Sequence, residues 1–283
     1  MNNLLKLHTA ACRRQTGIMW LILAAAPFVL AAAGCGGVER QEMIFDRYPP
    51  TEALAVYVDN FRGDVQVEAD PTVTGPVVKA RLHARHEWFR VKMNTFGAAK
   101  LDRTLDEVNV QADLDHGTGD QQGLAILRVM ATTAFDVDRD PDLQWVDLHI
   151  TAPSVDGVDI RTQDGSVDLV GISGAVTVAN HNGNVVVRTT QPLVDPVTIT
   201  TSDGHIYYRV TGESAGAFDI ETIGGKAHIK AVEGTLSVQQ EGQSRILAQF
   251  NDGGNPIVLR TTHDQIRVAV TPDPMPLGIF GMW

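Results

Sequence analysis

Cysteine is almost missing from this chain: two residues in 283, Cys12 and Cys35, both near the N-terminus. From Gly36 onward there can be no disulfide framework and no thiolate metal site. Aromatic residues make up only 6%, so a core has to be built from aliphatic side chains. Basic residues are also short, 23 Lys and Arg against 34 Asp and Glu, for a net charge of −11. Lys6, Arg13 and Arg14 lie in the first 34 residues and no acidic residue does, so the remainder is more acidic still. Such a body is repelled by nucleic acid and by anionic lipid surfaces, and nucleic acid is not an expected partner. A long apolar run is lacking too. The uncharged stretch Ile18 to Ala33 is about 16 residues and holds Pro27, short of the roughly 20 that a spanning helix needs.

What is present at the start is an export signal. Lys6, Arg13 and Arg14 form a positive n-region, the Ile18–Ala33 stretch comes next, and Ala32, Ala33 and Gly34 lead into Cys35, Gly36 and Gly37. These residues resemble the lipobox of bacterial lipoproteins, although Ala32 stands where Leu is usual. The resemblance implies cleavage before Cys35 and a diacylglycerol on its sulfur. Residues 1–34 are then the signal peptide, and 35–50 the lipidated cysteine and a tether ending at Pro49-Pro50. An ordinary secretory signal cut near Ala33 and an uncleaved anchor are the alternatives. Gly36 is not the Asp that marks inner-membrane retention in some bacteria, so the expected place is the outer membrane or cell surface.

Val is abundant, with Ile and Leu behind it, and β-branched side chains suit a pleated, half-buried surface. From about residue 156 one short phrase recurs, Gly-x-Φ-x-Φ with Φ apolar. Gly165, Gly174, Gly183, Gly204, Gly216, Gly225 and Gly234 lead the pairs Val167/Leu169, Val176/Val178, Val185/Val187, Ile206/Tyr208, Phe218/Ile220, Ala227/Ile229 and Leu236/Val238. Asp195, Ser244, Asn255 and Asp264 lead Val197/Ile199, Ile246/Ala248, Ile257/Leu259 and Ile266/Val268 in the same way. Period-two alternation puts each pair on one face of a strand, with polar residues such as Asp168, Thr198 and Arg267 on the other. Asp164-Gly165, Asn182-Gly183 and Asp203-Gly204 are turn dipeptides. The uniform unit, restarting roughly every 9 to 12 residues, predicts an all-β fold: a single-stranded, β-helix-like solenoid over 51–270, two units per coil and five or six coils, with three units per coil as an alternative. A hairpin sandwich is the other fold that writes such text.

The first half repeats the phrase once, with Gly63 leading Val65/Val67, and Val77 to His83 is strand-like. Phe96, Leu101, Leu105 and Val108 have helical spacing, which predicts one short helix over 95–107. The polar tract 113–122 is expected as a loop, and Leu124 to Thr133 and Trp145 to Thr151 as strands. Residues 271–283 form a tail, Pro272, Pro274 and Pro276 followed by apolar Leu277 to Trp283, which either caps the last coil or binds a partner.

The cadence of Val146 to Pro153, then Val158 to Val167 with Asp164-Gly165 inside it, and of the units after them is similar to the DUF4097 type of β-solenoid domain, grouped under the name adhesin. The resemblance covers about residues 50 to 270. It implies repeated strand–turn–strand units, often a short helix in the first half, and no catalytic residues.

No constellation in the chain spells out a reaction. Asp168, Asp219, Glu221 and Arg209 lie on outward positions but in scattered units. His181, His205, His228 and His263 lie near turns of different units. Gly171-Ile172-Ser173-Gly174 lacks the spacing of a nucleophile elbow, and Ile223-Gly224-Gly225-Lys226 lacks the rest of a P-loop. Asp136 to Asp142 lacks the Gly and distal Glu of a calcium loop. The expectation is an envelope lipoprotein without catalysis, cofactor or metal, anchored in the membrane by lipid. Its solenoid face is a structural or adhesin-like binding surface for a glycan or an envelope protein. Tyr207 and Arg209, on neighbouring positions of one strand, are the candidate contacts. The rivals are a β-helix glycan-active enzyme, which needs a carboxylate cluster on adjacent coils, and an envelope-signalling sensor.

Overall fold

Alternation of apolar and polar residues becomes two facing sheets in the computed structural model, which describes residues 37–46, 53–86, 104–116, 124–134 and 142–276. Each coil has one strand in each sheet, so the unit is two strands per coil. The coils are β2 (Ala53–Asn60) with β3 (Val65–Ala69), β6 (Leu124–Thr133) with β7 (Asp142–Ala152), and β8 (Asp156–Asp164) with β9 (Val167–Val170). They continue with β10 (Ser173–Asn182) and β11 (Val185–Arg188), β12 (Val197–Thr201) and β13 (Ile206–Val210), β14 (Gly216–Thr222) and β15 (Ala227–Ala231), and β18 (Pro256–Thr261) and β19 (Ile266–Val270). Strands β1 (Gly37–Asp46), β4 (Val77–His86), β5 (Val108–His116), β16 (Leu236–Glu241) and β17 (Arg245–Phe250) add antiparallel pairs at the two ends.

The coils do not stack in chain order. The nine-stranded sheet, here sheet A, runs β1-β4-β7-β3-β9-β11-β13-β19-β15; the ten-stranded sheet B runs β16-β17-β14-β18-β12-β10-β8-β2-β6-β5. The coil β18–β19 therefore lies between β12–β13 and β14–β15, and β2–β3 lies between β6–β7 and β8–β9.

In-register parallel pairing stacks like on like. On sheet B the inward ladder is Val58, Ile160, Val178, Ile199, Leu259 and Ile220. On sheet A it is Ile150, Val67, Leu169, Val187, Tyr208 and Val268. The two ladders face each other in one buried cluster. Tyr208 crosses the interior to meet Phe218 edge-on, 6.1 Å between ring centres.

The corner from sheet B to sheet A explains the glycines. Gly63, Gly165, Gly183 and Gly204 have φ between +115° and +150°, and a Cβ on each would collide with a backbone carbonyl of the neighbouring coil. Only glycine relieves both constraints. A polar rung inside each corner satisfies those carbonyls. The Asn180 amide donates to the Gly165 and Gly183 oxygens at 3.0 Å each, Asn60 donates to Gly63 and Val146, and the Thr261 hydroxyl donates to Gly204.

Two expectations change. The tract expected as a tether holds β1, which pairs with β4. The polar tract 113–122 begins inside β5, since Asp113 and Asp115 point outward from a strand whose pairing with β6 runs to His116. The predicted helix lies outside the described residues as far as 103; Thr104 and Leu105 are helical, and a turn follows in which the Glu107 amide donates to the Thr104 carbonyl at 3.2 Å. Its Leu105 is buried, as the apolar spacing requires.

Candidate functional site

The outer face of sheet A carries the side chains that alternate with the buried ladder. Register sets their neighbours across the strands. One row runs Gln66, Asp168, Val186, Tyr207, Arg267, His228. The next runs Glu68, Val170, Arg188, Arg209, Ala269, Lys230. Tyr207 and Arg209 thus share this face, two positions apart along β13, as their spacing requires. Tyr207 is half-buried and meets His205 edge-on at 5.8 Å.

Arg209 is already engaged. After β19 the chain turns back over the face, and the Thr271 amide donates to the Val210 carbonyl at 2.9 Å. Arg209 donates to the carbonyl of Pro274 at 3.0 Å and of Asp273 at 3.4 Å. Arg188 donates to the Met275 carbonyl at 3.2 Å and to the Asp168 carboxylate at 2.7 Å. Residues 271–276 are a strap laid over β13 and β11, and Pro274 within it is buried. Burial pulls the Arg209 guanidinium below its ordinary value; the charge of Asp273 opposes this and that of Arg188 adds to it.

Beyond the strap, β15 and β19 leave cations open. His228, Lys230 and Arg267 line a groove of about 320 Å³ floored by Ile229 and Val268. No carboxylate pairs with His228 or Lys230 among the described residues, and Arg267 donates only to the neutral Gln265 side-chain oxygen, at 2.9 and 3.2 Å. Several other outward charges are paired. Asp219 and Glu221, on the outer face of sheet B, are held by Arg260, with Arg245 also on Asp219. Asp168 lies on the opposite sheet, so these carboxylates form no common cluster. The histidines disperse as well: His263 on Asp203 at 2.6 Å, His205 beside Asp264 at 3.5 Å, His181 on Ser202 at 3.1 Å. Among the described residues no group of His, Cys, Asp and Glu could hold a metal ion. Asp136 to Pro141 and Cys35 lie outside them.

His228, Lys230 and Arg267 do not stand together in the sequence. Each is on an outward phase, but stacking in chain order would put His228 directly beside Tyr207. The insertion of β19 brings Arg267 between them.

The family model Toastrack DUF4097 matches residues 91–269 of this chain. The chain belongs to the DUF4097 family. The solenoid of stacked two-strand coils is its fold, as the cadence of the units implies. No curated protein matches this DUF4097 chain. Among solved structures it is similar to a "putative cell adhesion protein" of Clostridium sporogenes, at 11% identity over 83% of this chain and 100% of that one, with a TM-score of 0.44. It is also similar to a "putative adhesin" of Bacteroides fragilis, at 9% identity over 83% and 97% of the two chains, TM-score 0.30. A "putative lipid binding protein" of Parabacteroides distasonis shares 8% identity over 82% and 97%, TM-score 0.23.

Proposed function

We propose that this chain is an exported lipoprotein, held at the outer membrane or cell surface through lipid on Cys35, whose β-solenoid is a non-catalytic binding surface. The leader supports the anchor: a positive n-region, an uncharged stretch too short to span, and small residues before Cys35. Cys35 lies two residues before β1, the outermost strand of sheet A, so a lipid there holds one end of the solenoid against the bilayer. The observation that carries the binding role is the outer face of sheet A. It presents Tyr207 beside cations that no carboxylate among the described residues neutralises, in a protein with a large acidic excess. An enzymatic role has less behind it: Asp168, Asp219 and Glu221 are each held by an arginine, and Asp168 lies on the opposite sheet from the other two.

The test is intact mass and membrane partitioning of the wild type against Cys35→Ala. The expected result is a lipid-sized mass increment on Cys35 and a membrane-bound wild type, with the variant soluble or uncleaved. Equal release of both proteins, neither carrying lipid, overturns the anchor.

A further inference from the structure

We propose that the strip of sheet A between β13 and β15 binds an acidic polysaccharide, with Lys230, Arg267 and His228 meeting its anionic groups and Tyr207 packing against a sugar ring. The inference rests on the proposed binding role of this face and names its ligand class. The chain carries −11 overall, so unpaired cations gathered in one groove are not ordinary surface. Arg267 is oriented by a neutral acceptor, which leaves its charge uncompensated while holding the guanidinium in place. His228 is its cross-strand neighbour on β15, and Lys230 stands two residues on along the same face. Tyr207 is the neighbour of Arg267 on the other side, in β13. The groove is open at the β15 edge, where sheet A ends, so a long chain can enter and leave it. Towards β11 the strap closes it, because Arg209 and Arg188 are committed to backbone carbonyls of residues 273–275.

The same cations could meet anionic lipid headgroups, but the geometry favours a polymer. Eight inter-strand spacings separate β1 from β15 in sheet A, about 38 Å at the usual spacing. With Cys35 in the bilayer beside β1, the groove faces material away from the membrane. The overall negative charge does not forbid an acidic ligand, since at physiological salt repulsion from distant carboxylates is screened beyond about 8 Å.

The test uses the full-length protein in detergent, with retention on immobilised polygalacturonate as the probe, neutral dextran as the blank, and phosphatidylglycerol vesicles as the competing surface. Retention on polygalacturonate but not dextran, falling as salt rises, is expected. Lys230→Gln with Arg267→Gln should weaken it by about tenfold or more, the fold-change equal to about 1.4 kcal/mol. Lys79→Gln removes a cation from the same face near β1 and should leave retention unchanged. If the double variant loses thermal stability, Lys230→Gln alone, at an exposed position, carries the comparison. No retention, an equal loss with Lys79→Gln, or stronger binding to vesicles that depends on the same residues would each overturn the proposal. Performing the series on Cys35→Ala as well separates the two readings: the anchor is judged by mass and partitioning, the groove by retention.

Discussion

Gly183 shows how much of this fold depends on single corner residues. Its φ of +121° is one that a side chain adopts only with strain, costing roughly 1–2 kcal/mol. A Cβ there would also fall on the Gly165 carbonyl of the neighbouring coil, and backbone held in a stack cannot move aside cheaply. Gly183→Ala is expected to destabilise by about 3 kcal/mol in urea unfolding, whereas Gly254→Ala, with no atom within 4 Å, should stay within about 0.5 kcal/mol. Equal effects would mean that the corner relaxes freely. Asp147 shows a second single-residue effect, in pH. Burial raises its pKa, but hydrogen bonds from His83 at 2.9 Å and the Asp64 amide at 3.1 Å, with the charges of His83 and Arg81, hold it below its ordinary 3.8. A lowered folded-state pKa contributes stability that is complete above the ordinary value and is lost as pH falls through the folded one. Asp147→Asn should therefore be less stable than wild type at neutral pH, with the difference shrinking below about pH 4; a pH-independent difference would show that the carboxylate charge is irrelevant. The corner glycines are legible in the sequence because turn dipeptides announce positive φ. The Asn60 and Asn180 rungs are not, since a polar residue at the end of an alternating run reads as an ordinary strand end.

At the scale of strands, units that look alike in sequence differ in what they bury. The Asn255 unit and the Gly234 unit both have the turn–x–Φ–x–Φ form. Leu259 of β18 has no exposed surface and sits between Ile199 and Ile220, while Val238 of β16 is 43% exposed on the edge of sheet B. Leu259→Ala is expected to cost about 2–5 kcal/mol and Val238→Ala under about 0.5, measured by the shift in urea midpoint at constant slope. Similar costs would mean that the stacking order is not the one described. This is where the sequence stops being informative. A period of two states which face of a strand is buried, and that is legible from Val65 to Val268. It does not state which strand lies alongside, because parallel pairing is made by backbone groups that every residue carries. The groove on β15 and β19 is hidden for that reason: its three cations come from two units nearly forty residues apart, and only the pairing of β15 with β19 unites them. The expectation of a tether fails on similar grounds, since the residues before β2 look polar and linker-like, while β1 finds its partner in β4, past the whole first coil.

The permuted stacking makes a demand on the molecule as a whole. In a solenoid whose coils follow chain order, removing the C-terminal coil exposes one neighbour and leaves the rest intact, because each coil contacts only those beside it. Here the coil closest to the C-terminus is an interior one. Strand β18 pairs with β12 on one side and β14 on the other, and β19 pairs with β13 and β15. Until β18–β19 is in place, β14 and β15 have no parallel partner, and the β16–β17 hairpin, which adds to β14, has nothing stable to join. The gap is closed by pairing across about 60 residues, from β12 to β18, contacts of a kind that form late and slowly. A chain ending at Gly253 should accordingly lose far more than one coil. In hydrogen exchange, amides of β14 to β17 are expected to lose protection, while β2, β3 and β6 to β11 keep theirs, since every strand they pair with remains. If β14 and β15 stayed protected without β18–β19, they would have to pair directly with β12 and β13. The coil order would then be a preference of the complete chain rather than a requirement, and the groove between Tyr207, Arg267 and His228 would be a consequence of the last coil choosing to insert.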